Sequence, residues 1–171
     1  MGVLRASRRA GQAAILALAG LVLGASAADA DEPVAYAVVV NPAAQVRDVS
    51  LGELSSLYRG RRMEDGDGRV LVPLNHPAGT AARTDFDRVV LGMTPDEVGR
   101  FWVDQKMRGA SHPPRTAGSA NMLLRFVANF PAAVGYVEAD KVAGMGDAVR
   151  VLKVDGKLPG EPGYALAKGA P

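Results

Sequence analysis

The sequence has no cysteine, which excludes disulfides, thiolate metal sites and lipid attachment at a cysteine after the N-terminal apolar run. Histidine is almost missing as well. His76 and His112 are the only two, and neither stands in H-E-x-x-H or any comparable metal spacing. No G-x-S-x-G elbow is present. Ser111 and His112 adjoin, but a catalytic triad is defined by geometry rather than by adjacency. The turn Gly66-Asp67-Gly68 is acidic without the ligand spacing of a calcium loop, and reads as a solvated turn. These absences argue against an enzyme and against a bound metal or cofactor. The chain also lacks an excess of charge of one sign, with 20 basic and 18 acidic residues. Long apolar runs are confined to the N-terminus.

That N-terminus is a targeting pattern. Arg5, Arg8 and Arg9 precede the short apolar run from Ala13 to Leu23, and Ala25-Ser26-Ala27 fits the small-x-small cleavage rule. The apolar run falls short of the ~20 residues that a spanning helix needs. The pattern predicts a signal peptide over residues 1–27, with cleavage as late as residue 30 through Ala28-Asp29-Ala30. Sec and twin-arginine export both stay open. The mature protein is then expected in the periplasm with no membrane span. Three of the 20 basic residues leave with the peptide, so 17 basic residues face 18 acidic ones. A mature chain so nearly neutral has no electrostatic case for binding nucleic acid.

The remainder suits one domain with one core. Val34 to Val40 is apolar and β-branched, bounded by Asn41-Pro42, and reads as a buried first strand. Ser50 and Glu53 form a capping box ahead of Leu51, Leu54, Leu57 and Tyr58, with Gly60 as the stop. Arg69 to Leu74 is a second strand. Thr80 caps a helix carrying Phe86, Val89 and Val90 on one face, and Gly92 ends it. Thr94-Pro95-Asp96-Glu97 opens another helix with a capping box and proline at the first helical position. Val98, Phe101 and Trp102 form its apolar face. Ala110 to Gly118 is a loop. Ser119 caps a helix with Leu123, Phe126, Val127 and Phe130 at helical spacing. Ala133–Val137 and Val149–Val154 are two further strands. The Gly/Pro-rich end, residues 155–171, reads as a flexible tail with little core content. Strands interleaved with helices predict an α/β domain over residues 34–154, its sheet mixed or mostly parallel and flanked by helices.

Ligands of such sheets sit beyond the carboxyl ends of the strands. The segment Pro73-Leu74-Asn75-His76-Pro77-Ala78-Gly79-Thr80 turns a strand into a helix and offers free N–H groups to an anion. Gly79 lets a ligand approach the backbone. The Thr80 hydroxyl can cap the helix or touch the ligand, and Arg83 lies one turn further on. Ser119 opens its helix in the same way, with capping alone the simpler role. His76, in a turn bounded by prolines, reads as a surface residue.

Four segments resemble a known family in the right order. "LGELSSLYRG" at 51–60 resembles "sLeeLrrIFlG", and "DGRVLVPLN" at 67–75 resembles "dG..I.PVn". "GTAARTDF" at 79–86 stands in the place of "SGT…F", and "PAAVGYVEA" at 131–139 resembles "pGAIGYv". These are marks of phosphate-binding-protein-like domains of the type 2 periplasmic-binding superfamily, and the chain is similar to their small single-lobe members. The resemblance implies one lobe of that fold and a small oxyanion such as phosphate as ligand. It also implies an ABC permease or another envelope protein as partner. In two-lobed relatives the Ser, Gly and Thr of the helix start hold phosphate, with an Arg and an Asp just upstream. Gly79 and Thr80 match, Ala78 replaces the Ser, His76 replaces the Asp, and the Arg position falls near the uncharged Leu74 or Asn75. A single lobe does not close over its ligand, so affinity should suffer. The alternative is an envelope interaction module that has lost its small ligand. It predicts an exposed apolar patch, with Tyr58, Met63 and Met107 as contributors.

Overall fold

The computed structural model describes residues 35–167. The expected signal peptide lies outside the described residues. Six strands form one sheet: β1 (Tyr36–Val40), β2 (Asp48–Val49), β3 (Val72–Asn75), β4 (Arg115–Thr116), β5 (Ala133–Glu138) and β6 (Arg150–Val154). Their spatial order is β2-β6-β1-β5-β3-β4. Strand β1 is antiparallel to β5 and β6, whereas the β2/β6, β3/β5 and β3/β4 pairs are parallel. The sheet is therefore mixed. β1, whose five residues are all buried, lies in its middle, as its unbroken apolar run requires.

Helices cover both faces. On one face Tyr36, Val38, Val40, Val134, Tyr136, Leu152 and Val154 meet α1 (Leu51–Tyr58) and Phe86 of α2 (Ala81–Phe86). Val98 of α3 (Pro95–Met107) joins the same cluster. On the other face Ala37, Val39, Leu74, Ala133 and Val137 meet Leu123, Leu124 and Val127 of α4 (Ala120–Asn129). This alternation of faces follows from the period of two in the strands. The capping boxes form as the sequence predicts: Glu53 accepts from the Ser50 N–H at 2.8 Å, and Glu97 from the Thr94 N–H at 2.8 Å. Asn41 holds the other end of α4, donating to the carbonyls of Val127 and Ala128 at 2.9 and 2.8 Å.

Gly135 sets the distance between α4 and the sheet. A Cβ built there would lie 2.4 Å from Leu123 Cδ2 and 3.0 Å from its Cγ. The missing side chain lets Leu123 rest directly on the β5 backbone.

Two expectations need correction. Within the predicted loop 110–118, Arg115 and Thr116 pair with Leu74 and Asn75 as a short edge strand. The C-terminal segment is no coreless tail up to residue 167. Tyr164 and Leu166 are buried in the first cluster. The Tyr36 N–H donates to the Leu166 carbonyl at 3.0 Å, and the Tyr164 hydroxyl donates to the Tyr36 carbonyl at 2.9 Å. The glycines and prolines shape the turns of this segment, while its two large apolar side chains cover the start of β1.

Candidate oxyanion site

The site begins where β3 ends. Asn75 is buried, and its Oδ1 accepts from the His76 N–H at 3.0 Å and from the Tyr136 hydroxyl at 2.5 Å. His76 Nε2 lies 2.8 Å from the Tyr136 carbonyl. A carbonyl only accepts, so Nε2 carries the proton. Burial lowers the His76 pKa from its ordinary 6.5. The Tyr136 carbonyl opposes this, and the nearby Arg83 and Lys141 charges add to it. His76 is thus a neutral, buried strut rather than the surface residue expected from its turn, with 6% exposure. Its packing beside the Tyr136 ring, 4.9 Å between centroids, explains the burial.

Beyond this anchor the chain opens. Ala78 and Gly79 are exposed, and Gly79 takes the left-handed φ of 82° with open space where a Cβ would stand. The N–H groups of Gly79, Ala81 and Ala82 have no acceptor among the described residues, as expected at a helix start. The Thr80 hydroxyl donates to the Pro77 carbonyl at 2.9 Å and accepts from the Arg83 N–H at 3.4 Å. It is occupied with capping.

Arg83 turns inward. Its Nε donates to Asp87 Oδ2 at 2.5 Å and its Nη1 to the His76 carbonyl at 3.4 Å. Asp87 is 2% exposed, and its Oδ1 has no partner among the described residues. Burial raises its pKa against the pull of Arg83. Asp87 opens a single π-helical stretch, Asp87–Leu91, that extends α2 to the left-handed Gly92. Below it Phe86 stacks on Tyr136 at 3.6 Å between centroids, with Tyr58 against both rings.

The structure brings Ala78, Gly79, Thr80 and Arg83 into one turn. Only the backbone of that turn faces outward with free donors. Ser119 follows β4 at the same edge, since Asn75 pairs beside Thr116, but α4 packs on the opposite face of the sheet. The Ser119 hydroxyl caps α4 by accepting from the Met122 N–H at 3.1 Å. The Ser111 hydroxyl donates to Gln105 at 3.4 Å. Of the residues expected in an apolar patch, Tyr58 is buried under the Phe86 ring, Met63 is half-buried and Met107 is exposed. Val72, Phe126 and Phe130 are exposed instead along a 680 Å³ groove between α4 and the sheet edge. Sequence reading missed Asp87, although its spacing of four from Arg83 is the signal for a helical ion pair.

No family model and no curated protein matches the sequence. Solved structures do. An ABC-type phosphate transport receptor from Vibrio cholerae superposes with a TM-score of 0.62 at 18% identity, over 79% of this chain and 54% of that one. PstS from Borrelia burgdorferi gives 0.60 at 10% identity, over 79% and 55%. A protein described as a phosphate ABC transporter substrate-binding protein with bound phosphate, from Clostridium perfringens, gives 0.57 at 20% identity, over 72% and 46%. The chain spans about half the length of these proteins. At such identities the likeness is one of fold. The chain has the mixed α/β fold seen in part of the binding proteins of phosphate ABC transport.

Proposed function

We propose that this chain is a periplasmic solute-binding-like protein that holds a small oxyanion, such as phosphate, on the turn Ala78–Ala82 for ABC-type uptake or sensing. The observation that carries the reading is the set of unpaired N–H groups of Gly79, Ala81 and Ala82 beyond the carboxyl end of β3. The fold neighbours support it, one of them holding phosphate. The N-terminal targeting pattern supports export.

The chemistry predicts weak binding. Backbone donors supply the contacts, Ala78 has no hydroxyl, and Arg83 is engaged with Asp87. A dissociation constant of about 1 mM, or roughly −4 kcal/mol, suits so open a site. Ten millimolar phosphate would then stabilise the fold by about 1.4 kcal/mol, read as a rise in melting temperature against chloride at equal ionic strength. Ala78→Ser should enlarge that rise by adding a hydroxyl at the turn. An unchanged melting temperature across phosphate, sulfate and carboxylates would refute the reading.

A further inference from the structure

The sheet edge beside α4 is hollow. Val72 and Leu74 on β3, and Arg115 and Ala117 on and after β4, turn toward α4, since residues two apart in a strand share a face. Phe126 and Phe130 of α4, with ring centroids 5.6 Å apart, form the opposing wall. The groove between them encloses about 680 Å³, within the range of small-molecule sites. Three separate elements build it, so it is a concavity of the fold rather than the outer side of one helix. Its lining is apolar except for Arg115 and Thr116. Val72, Phe126 and Phe130 stay exposed along it. Charge is unevenly spread around the groove, although the chain as a whole is nearly balanced. No acid lines it. From Gln105 to Val137, the stretch that holds β4, α4 and most of β5, the chain carries Lys106, Arg108, Arg115 and Arg125 but no Asp or Glu. β3 has no acid either. Arg83 is held by Asp87, whereas Arg115 is exposed and forms no ion pair among the described residues.

We propose that this groove binds a small amphiphilic carboxylate, an apolar alkyl or aryl body that ends in a carboxylate. The body lies between the Phe126 and Phe130 rings and the floor at Val72 and Leu74, and its burial takes apolar surface of both partners out of water. The head group pairs with Arg115 at the mouth. A guanidinium offers a carboxylate two parallel N–H bonds. The lone cation and the lack of any acid select the sign of the head group. A neutral chain gains the apolar contact alone, and an ammonium meets Arg115 as a like charge. The groove lies on the face of the sheet that α4 covers, opposite the face against which Phe86 of α2 packs. It shares no residue with the turn Ala78–Ala82, so the two ligands do not compete for side chains.

The test is titration of the purified protein with octanoate, followed by calorimetry and by two-dimensional amide spectra. A dissociation constant of about 0.3 mM is expected, with the shifted signals at Val72, Ala117 and Phe130. Octanol should bind about tenfold more weakly, and octyltrimethylammonium should leave the groove signals unmoved. Arg115→Gln should weaken octanoate by about tenfold and leave octanol unchanged, a difference that a folding defect would not produce. Phe130→Ala should weaken both. Equal affinity for the three head groups would overturn the proposal, as would an Arg115→Gln variant that binds octanoate like the parent. So would signals that move only outside the groove, or none that move at all. Sedimentation with phosphatidylglycerol vesicles, while free octanoate leaves the groove signals unmoved, would assign the surface to a membrane instead. A dimer that buries the groove and excludes octanoate would assign it to a second copy. Either result would also overturn the proposal.

Discussion

Replacing Gly135 with alanine tests how α4 is seated on the sheet. Gly135 lies in β5 outside the left-handed region, so alanine meets no backbone strain there. The obstacle is Leu123, whose Cδ2 and Cγ would lie 2.4 and 3.0 Å from the new methyl group. Leu123 is itself fully buried among Leu124, Val127, Ala37 and Val39 and has little room to withdraw. Overpacking of this kind costs about 1–3 kcal/mol. Alanine regains about 0.5–1 kcal/mol of the entropic disadvantage of glycine in a strand. The net loss should be about 1–2 kcal/mol, or roughly 4–10 °C in melting temperature for a domain of this size. Chemical denaturation of the parent, Gly135→Ala, Leu123→Ala and the double variant completes a cycle. Leu123→Ala alone should cost about 2–5 kcal/mol by leaving a cavity. In the double variant the added methyl partly fills that cavity, so the two costs should fall short of additivity by about 1–2 kcal/mol. A neutral Gly135→Ala, or costs additive within about 0.5 kcal/mol, would refute the close seating of α4.

Two further outcomes follow from buried groups. His76 has a folded pKa below its ordinary 6.5, so the unfolded chain takes up the proton more readily than the folded one. Its contribution to stability is complete above pH 6.5 and is lost as pH falls through 6.5 and then through the lower folded value. Denaturation curves between neutral and mildly acidic pH should show a steeper loss in the parent than in His76→Gln, and equal slopes would refute the buried neutral imidazole. Leu166→Ala should cost about 2–5 kcal/mol by opening a cavity over β1, whereas a change near zero would mean that residues 164–167 do not cover the core in solution.

What was legible in the sequence was local. The capping boxes at Ser50 and Thr94 depend on residues three apart, and the sequence pattern places both helix starts correctly. The central strand β1 was legible because an unbroken apolar run has few other fates. The edge strand Arg115–Thr116 was not, since two polar residues become a strand only through Leu74 and Asn75 beside them. His76 was misread because its partner, Tyr136, comes from a distant strand and nothing near His76 announces it. At the site itself the turn with its glycine was legible. The Arg83–Asp87 pair was legible in its i,i+4 spacing and was overlooked, whereas the reach of Arg83 to the His76 carbonyl depends on how the turn sits on the aromatic stack, which no local pattern encodes.

The place of β1 has a consequence for how the chain reaches this fold. Both of its edges are filled by strands from the far end of the chain, β5 and β6, and its start is covered by Tyr164 and Leu166. Its apolar backbone therefore stays without its sheet partners until almost all of the described chain has been synthesised. A topology so rich in distant contacts folds slowly, and the nascent chain carries an unpaired, aggregation-prone strand meanwhile. A chain interrupted before Arg150 would keep that strand open on one side, joined to β5 but with no β6 to close it.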